Sequence, residues 1–273
     1  MQRIGIALLL ASGACGGGAA RSTDGRVAGK RGVAYGFQSA PDLRAFPASV
    51  SWWYNWSPQP DAGAVGASST MEFVPMVWGG SFDVNQLAAT IPAGAKYLLG
   101  FNEPNFGSQS NLTPEAAAAL WPRLQQLAAL RGLKLVSPAL NYCGGLCNET
   151  DPFVWLDKFF AACSGCQVDY IAMHWYACSK DALVWYLGKY KAKYAQPLWL
   201  TEFACLDDAV LTDPKEAQYM QDALGVLEAD PAIFRYSWFT GRFPSKPVVD
   251  LLAAPVGALT PLGKAYVDHP AGP

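Results

Sequence analysis

The stretch LLGFNEPNFG (residues 98–107) joins an apolar run to an amide, a carboxylate and a proline. A buried strand that ended in an ordinary turn would be followed by Gly, Ser or Asp, so Asn102 and Glu103 at its last positions need another explanation. Pro104 disfavours helical geometry in the residue before it, which predicts an extended backbone at Glu103. The stretch therefore predicts a strand that ends in a carboxylate.

Similar short runs of strand type recur along the chain, and each ends in polar or aromatic residues. They are RGVAYGF (31–37), ASVSWWYNW (48–56), MEFVPMVWG (71–79), YLLGFNEPN (97–105), KLVSPALNY (134–142), VDYIAMHWY (168–176), PLWLTEFA (197–204) and FRYSWFT (234–240). Helix-type stretches lie between the later runs, at 113–131, 152–163, 179–194 and 213–229. The first and last of these helices are expected to begin at Thr113-Pro114 and Asp213-Pro214.

Alternation of strands and helices is typical of a parallel sheet, and eight such units in about 240 residues are the usual size of a (β/α)8 barrel. The connections in the first half are short or rich in Gly, Ala and Pro, as in residues 57–70. We therefore predict an α/β fold, a (β/α)8 TIM barrel in which some helices of the first half are reduced or missing.

The N-terminus has the features of an export signal. Arg3 precedes the apolar run Ile4–Ala11, and Ser12-Gly13-Ala14 supplies the small residues of a cleavage site. Cys15 follows directly, as in a bacterial lipobox, although Ser12 stands where a branched aliphatic residue is usual. Both secretion and lipid anchoring on the bacterial cell surface stay open. We expect a signal peptide and flexible leader over residues 1–30 and one folded domain over 31–273.

The composition narrows the class of ligand. The net charge is −2 and the pI is about 5.7, so the chain lacks the basic field that nucleic acid or an anionic membrane would need. Aromatic residues make up 13% of the chain, including ten Trp, and flat rings with a polar edge suit stacking against sugars. We expect a monomer that binds a neutral carbohydrate.

Six cysteines remain when Cys15 is set aside, which agrees with export and predicts disulfides. Cys178 follows the sixth strand and Cys205 the seventh, so adjacent parallel strands would bring them together. Cys143–Cys147 and Cys163–Cys166 are then the remaining pairs. Free buried thiols, exchange of partners between the two small pairs, and a zinc site at their CxxxC and CxxC spacings are alternatives.

A barrel would gather the polar strand ends around one pit. The fourth strand brings Asn102 and Glu103, the sixth His174 and Tyr176, and the seventh Glu202. Two carboxylates that flank a sugar-sized space are what glycoside hydrolysis needs, because one protonates the departing oxygen while the other attacks the anomeric carbon or activates water. No nucleophile elbow of the form GxSxG occurs that would favour a Ser-His-Asp mechanism.

The motifs GFNEPN, IAMHWY with Cys178 just beyond it, and WLTEFAC together resemble glycoside hydrolase family 128. The resemblance covers the chain from about Arg31 to Asp268. That family consists mostly of β-1,3-glucanases, in a clan of retaining (β/α)8 glycosidases. Membership implies Glu103 as general acid/base and Glu202 as nucleophile, and it implies that Asn102 binds a sugar 2-hydroxyl. It implies no cofactor and no metal.

Further candidates for substrate binding come from their places near strand ends. His174 is expected to contact substrate or a carboxylate, and Trp238 is expected to form the floor of the catalytic subsite, as in many relatives of the clan. The other candidates are Tyr176, Trp78, Trp53, Asn55 and Asn141. Because neighbouring strand residues alternate sides, not every Trp can face the pit, and the two Asn side chains fit a turn-stabilising role equally well.

The sequence therefore predicts a retaining, endo-acting hydrolase of β-1,3-glucan, although the loops that decide between endo and exo action carry no recognised pattern. One alternative is the same machinery acting on another β-glycan. The other is a cell-surface carbohydrate-binding lipoprotein that does no chemistry, which the presence of both Glu103 and Glu202 disfavours.

Overall fold

The computed structural model describes residues 29–207 and 212–272. The predicted signal peptide and Cys15 lie outside the described residues. Ten strands are present in the described part: β1 (Arg31–Ala34), β2 (Trp52–Tyr54), β3 (Glu72–Phe73), β4 (Tyr97–Leu99), β5 (Lys134–Val136), β6 (Ile171–Trp175), β7 (Leu198–Phe203), β8 (Ile233–Trp238), β9 (Leu252–Ala253) and β10 (Ala258–Leu259). The helices there are α1 (Ala40–Arg44), α2 (Val84–Thr90), α3 (Pro114–Arg131), α4 (Pro152–Ala162), α5 (Lys180–Lys193), α6 (Asp213–Ala229) and α7 (Pro261–Asp268), with a 3-10 turn at Pro247–Val249.

The first eight strands are parallel and form a ring. Six of them pair in the order β3-β2-β1-β8-β7-β6, and β4 pairs with β5. Isolated parallel bridges join the two groups, from Met76 to Leu99 on one side and from Val136 to Tyr170 on the other. The predicted (β/α)8 barrel is thus confirmed, and seven of its eight strands lie within the predicted runs, while β8 begins at Ile233, one residue before its run.

The inside of the barrel is filled by alternate residues of the strands, as the period of two requires. Trp52, Tyr54, Leu99 and Trp199 belong to this inner cluster. At the N-terminal end of the strands, the Arg235 guanidinium lies about 5 Å from the rings of Tyr97 and Trp199 and pairs with Glu72 at 2.7 Å. The faces of these aromatic rings stabilise the buried guanidinium in place of water.

The larger part of the core lies between the barrel and its helices, which begin where the sequence predicts. In α3 the Thr113 side chain accepts from the Ala116 N–H at 3.2 Å, Pro114 occupies the first turn, and Gly132 ends the helix at a φ of 65°. Asp151 caps α4 and Ser179 caps α5 in the same way. No helix among the described residues is long and apolar enough to cross a membrane.

The first half of the barrel has few helices, as predicted. Helix α1 has five residues and α2 seven, whereas α3 has 18. Residues 55–71, between β2 and β3, contain no helix. This loop instead places Trp56 over the C-terminal end of the barrel, where the polar strand ends meet.

The C-terminal segment is tied to the first strand through Arg31. Its guanidinium pairs with Glu228 at 2.7 Å and donates to the carbonyl oxygens of Tyr266 at 2.8 Å and His269 at 3.0 Å. Arg31 is 2% exposed, so these acceptors replace its water. These contacts of Arg31 hold α7 against the side of the barrel where β8 pairs with β1.

Candidate active site

A cavity of about 380 Å³ opens at the C-terminal ends of the strands. Its lining combines carboxylates, amides and aromatic rings: Trp56, Trp78, Asn102, Glu103, Gln109, Tyr176, Glu202, Leu206, Phe239 and Phe243. A larger cavity, of about 600 Å³, lies between α6, the 3-10 turn and α7, away from the strand ends. Its lining includes Asp213 and Asp250 but otherwise consists mainly of small and apolar residues, so the smaller cavity is the candidate active site.

Glu202 is held by three donors, one in β2, one two residues beyond β2 and one directly after β6. Tyr54 donates to Glu202 Oε1 at 2.7 Å and Trp56 Nε1 donates to the same oxygen at 2.8 Å, while the Tyr176 hydroxyl donates to Oε2. Both carboxylate oxygens of Glu202 therefore accept hydrogen bonds from side chains of the site. The side chain is 4% exposed and therefore has a fixed orientation in the cavity.

An irregularity in β7 explains how Glu202 reaches the interior. Leu200 pairs with Met173 of β6, but Glu202 pairs with His174, so β7 advances two residues where β6 advances one. Against β8, Leu200 pairs with Tyr236 and Phe203 with Trp238, which again gives β7 one extra residue. Trp199 points inward and Leu200 outward. Strict alternation would therefore turn Glu202 outward, and the bulge at Thr201 reverses this.

Glu103 follows β4 in an unusual backbone conformation. Its φ is 41°, so the expected extended geometry is wrong: the residue adopts the left-handed region instead. The Glu103 N–H donates to the Ala139 carbonyl at 2.8 Å, and the Glu103 carbonyl accepts from the Phe106 N–H at 3.0 Å. Trp56, a donor to Glu202, also has a positive φ of 59°. Backbone strain at two residues of one cavity is typical of a functional site.

His174 lies between the two glutamates and is fully buried. Its Nδ1 is hydrogen-bonded to Glu103 Oε1 at 2.9 Å, and its Nε2 lies 3.5 Å from Glu202 Oε1. Burial lowers the pKa of His174, but the charge of Glu202 and the hydrogen bond and charge of Glu103 together raise it above its ordinary value. The two carboxyl groups thus favour the protonated form of this imidazole more than water would.

The two tyrosines around Glu202 stay protonated. Burial and the charge of Glu202 raise the pKa of both Tyr54 and Tyr176 well above the usual tyrosine range. They act as permanent hydrogen-bond donors, because neither phenol loses its proton at a physiological pH.

Glu103, His174 and Glu202 also have the composition of a metal site, since one potential ligand atom of each lies within 4.8 Å of the others. His174, however, directs one nitrogen at each carboxylate. A single ion could take only one of these nitrogens, so the arrangement fits mutual hydrogen bonding better than coordination.

Asn102 and Gln109 supply the amides of the cavity. Asn102 Nδ2 donates to Gln109 Oε1 at 3.3 Å, and Asn102 Oδ1 is buried without a hydrogen-bond partner among the described residues. A buried acceptor of this kind is available to a sugar hydroxyl. Trp78 lies beside them with 40% of its surface exposed, so its ring is open to a ligand.

Four candidates do not reach the cavity. Trp238 is fully buried outside the strands, where it packs against Phe203 and donates to the Val249 carbonyl at 2.8 Å; Phe239 lines the cavity in its place. Trp53 likewise points outward against Phe37. The expectation that both tryptophans contact substrate is wrong, because the side chains at these two strand positions point outward, toward the helices.

The two asparagine candidates stabilise loops, which was the competing explanation. Asn55 Nδ2 donates to Asp61 at 3.0 Å, and Asn141 Oδ1 accepts from the Tyr142 N–H at 2.9 Å. Neither lines the cavity. The backbone carbonyl of Asn141 accepts from Asn105 Nδ2 at 2.9 Å and so ties the β5 loop to the segment that carries Glu103.

Sequence reasoning missed six residues of the site. Tyr54 and Trp56 bind Glu202, while Gln109, Leu206, Phe239 and Phe243 line the cavity. Tyr54 and Trp56 belong to the aromatic run at β2, and their spacing of two was the available signal. The other four lie in loops, whose course no periodicity predicts.

The three predicted disulfides are present, as Cys143–Cys147, Cys163–Cys166 and Cys178–Cys205. The last connects the ends of β6 and β7, with 4.6 Å between its Cα atoms. Next to it, the Cys205 N–H donates to the buried carboxylate of Glu216 at 3.0 Å, and burial raises the pKa of that carboxyl to about 7. The disulfide and this hydrogen bond thus both hold Cys205, which follows the end of β7.

Comparison with known proteins agrees with this geometry. A model of the glycosyl hydrolase catalytic core family matches residues 32–266. A subgroup II endo-β-1,3-glucanase of glycoside hydrolase family 128 from Sorangium cellulosum is 46% identical, with a TM-score of 0.84 over 89% of this chain and 99% of that one. A subgroup I endo-β-1,3-glucanase of the same family from Amycolatopsis mediterranei, solved with laminaritriose, is 30% identical, with a TM-score of 0.71 over 88% and 99%.

A curated relative, Alkali-sensitive linkage protein 1 of Schizosaccharomyces pombe, is 33% identical over 252 residues. The match covers 89% of this chain and 45% of that protein, so the chain spans about half the length of this relative. The family model covers most of the barrel, and the family 128 enzymes align along nearly their whole length. The chain therefore belongs to the glycosyl hydrolase catalytic core family and, within it, to glycoside hydrolase family 128.

Proposed function

We propose that this protein is a retaining endo-β-1,3-glucanase. The observation that carries the proposal is the pair Glu103 and Glu202, which share one cavity with a carboxylate oxygen of each within 4.8 Å of the other. Retaining glycosidases hold their carboxyl groups about 5–5.5 Å apart, whereas an inverting enzyme needs about 6.5–9.5 Å to admit a water. The short separation supports retention.

In this mechanism Glu103 protonates the glycosidic oxygen while Glu202 attacks the anomeric carbon. The C–O bond to the leaving sugar breaks as the glycosyl–Glu202 ester forms. Glu103, now a carboxylate, removes a proton from water, and that water releases the sugar from Glu202. Oε2 of Glu202 is the better attacking oxygen, because it accepts from Tyr176 alone among the described residues, whereas Oε1 accepts from both Tyr54 and Trp56.

The cavity suits a neutral sugar chain. Trp56, Trp78, Phe239 and Phe243 offer apolar faces, and Asn102 and Gln109 offer amides for hydroxyl groups. The choice of β-1,3-glucan rests on the family 128 enzymes, which are β-1,3-glucanases by name and align with this chain at 46% and 30% identity. Endo action is proposed on the same ground.

The direct test incubates the purified protein with a panel of β-1,3-, β-1,4- and mixed-linkage glucans, xylan and mannan, and measures new reducing ends. We expect activity on laminarin and curdlan, with oligosaccharides of several lengths appearing early, as internal cleavage requires. The anomer released first, followed by NMR, should have the β configuration. Glucose as the sole early product would contradict endo action, an α-anomer would contradict retention, and binding without any product would favour a carbohydrate-binding role.

The three disulfides indicate an oxidising compartment. Within that setting we propose export through the N-terminal segment, with lipid attachment at Cys15 as the alternative to release, and a monomeric enzyme. Labelling of the expressed protein with a palmitate analogue, compared with Cys15→Ala, separates anchoring from secretion. Light scattering of the purified protein tests the monomer.

A further inference from the structure

Outside the cavity, two aromatic rings form an exposed surface on the same end of the barrel. Trp185 of α5 is 53% exposed, and its ring lies nearly parallel to that of Tyr142, with 20° between the planes and 6.3 Å between centroids. Lys189, one turn further along α5, adjoins both rings. We call Tyr142, Trp185 and Lys189 the aromatic platform.

The platform is connected to the catalytic residues through the loop after β5. Tyr142 follows Asn141, whose carbonyl accepts from Asn105, two residues beyond Glu103. Cys143, directly after Tyr142, is anchored by its disulfide to Cys147. Helix α5 begins just after β6, the strand that carries His174. The platform therefore lies on the side of the barrel where β5 and β6 end.

The Tyr142 ring is held in place by its neighbours. Lys189 Nζ donates to the Tyr142 hydroxyl at 2.9 Å and lies 4.4 Å from the ring centroid of Phe153. Tyr142 also contacts buried Tyr186, with 5.8 Å between centroids. A preformed surface loses little side-chain entropy when a ligand binds, so it can contribute more to affinity than mobile side chains.

The fold itself does not account for the exposed indole. Helix α5 packs against the barrel through Leu183, Tyr186, Leu187 and Tyr190, which are buried. Trp185 and its neighbour Val184, 47% exposed, lie on the outer face. An exposed aromatic surface next to a binding site commonly marks an interaction surface.

We propose that the aromatic platform is a second β-glucan-binding surface, distinct from the catalytic cavity, that holds a polymer chain while another part of it is cut. The proposal rests on the proposed glucanase function for the identity of the ligand. The ring faces of Trp185 and Tyr142 would stack on the apolar faces of successive glucosyl units. Lys189 has three N–H donors and makes one side-chain hydrogen bond among the described residues, to the Tyr142 hydroxyl, so it can also donate to a sugar hydroxyl.

The test compares Trp185→Ala with Val184→Ala, the adjacent exposed residue, as the matched control. Binding to insoluble curdlan is measured by depletion in a Glu202→Gln background, so that the polymer stays intact. Hydrolysis of curdlan and of short laminarioligosaccharides is measured in the active enzyme. Loss of one stacking residue should weaken curdlan binding about tenfold and slow curdlan hydrolysis, with little change on the short substrates. Trp185→Phe, which keeps a ring, should recover most of the binding.

The outcomes separate this inference from the proposed function. If wild-type protein cuts β-1,3-glucan while Trp185→Ala binds curdlan as tightly as Val184→Ala does, the platform is wrong and the glucanase stands. If Trp185→Ala slows cleavage of short and polymeric substrates equally, Trp185 belongs to the catalytic cleft and the platform is also wrong. If the protein binds curdlan through Trp185 but releases no product, the platform stands and the glucanase proposal falls. Absence of curdlan binding in the wild type contradicts the platform.

Discussion

Glu103 combines a left-handed backbone with a carboxylate that contacts a fully buried histidine. Sequence reasoning placed this residue correctly at the end of the fourth strand but gave it an extended backbone, because Pro104 restricts only the helical region. The hydrogen bond from its N–H to the Ala139 carbonyl holds the observed conformation. A local rule therefore excluded one conformation without selecting between the others.

The two glutamates should respond differently to truncation. Glu202→Ala should abolish turnover on every substrate, since it removes the proposed nucleophile. Glu103→Ala should lose activity on glucan but keep it on aryl glycosides with good leaving groups, whose departure needs no acid. Added azide should accelerate it, because azide attacks the glycosyl–Glu202 ester directly and needs no general base, which gives a glycosyl azide and frees Glu202. Steady-state kinetics with and without azide measure this. Glu115→Ala, on the exposed side of α3, is the control, and the opposite pattern would exchange the two roles.

His174 should make stability depend on pH. Its pKa is raised above the ordinary 6.5, so its contribution to the free energy of unfolding is fully present below 6.5 and is lost as pH rises through the folded-state value. Urea unfolding at about pH 6 and about pH 9 should show a decline in the wild type and a smaller decline in His174→Asn.

The control for this measurement is His269→Asn, which changes the other histidine of the chain. His269 is partly exposed, and burial lowers its pKa, so its contribution has the opposite sign and is lost as pH falls. This variant should retain the wild-type decline. Glu216 keeps its own pH-dependent contribution in all three proteins. An equal decline in His174→Asn and wild type would show that the histidine carries no charge between the glutamates.

At the scale of elements, the prediction of helices was accurate where capping residues marked their ends. The expected stretch 113–131 differs from α3 by one residue, and 213–229 matches α6. Proline in the first turn and glycine at the end of a helix act locally, so the sequence alone predicts where the helix begins and ends. The sequence also predicts where strands end, but it does not predict which face of the sheet each side chain occupies, as Trp53 and Trp238 show.

The Cys178–Cys205 disulfide joins two of the elements that carry the site. It spans 27 residues and lies beside Leu206, a residue of the cavity. Replacing both cysteines by serine should lower the free energy of unfolding by about 3 kcal/mol. Activity should be lost at a lower temperature than the helical signal in circular dichroism, because the rim that holds Tyr176 and Glu202 loosens first. A wild-type-like interval between the two transitions would contradict this.

The matched control for this disulfide is the Cys163–Cys166 pair, which spans three residues at the end of α4, where that helix leads into the next strand. It lies at the opposite end of the barrel from the cavity. Its serine variant should change stability less and should leave activity and unfolding coincident.

At the scale of the whole molecule, the Arg31 side chain ties the first strand to the C-terminal helices. This residue in β1 joins α6 through Glu228 and the end of α7 through backbone carbonyls. Arg31→Met keeps the apolar stem but leaves the partly buried Glu228 without its ion-pair partner, so we expect the free energy of unfolding to fall by about 3 kcal/mol. Urea unfolding measures it, with exposed Arg44→Met as control. Equal urea midpoints for the two variants would show that the contacts of Arg31 contribute nothing to the free energy of unfolding.

The sequence by itself determined the eight-unit barrel, the reduced helices of its first half and the two strand-end glutamates, and it favoured the three cysteine pairs over their alternatives. Each of these follows from period, capping or order along the chain, which are local properties. Only the tertiary structure decided that Glu202 turns inward, because the extra residue in β7 exists only relative to the registers of β6 and β8. It also decided that Tyr54 of β2 and Trp56, two residues beyond it, reach Glu202. These residues lie 148 and 146 positions from Glu202 in the sequence, and they meet it only because the ring of strands closes.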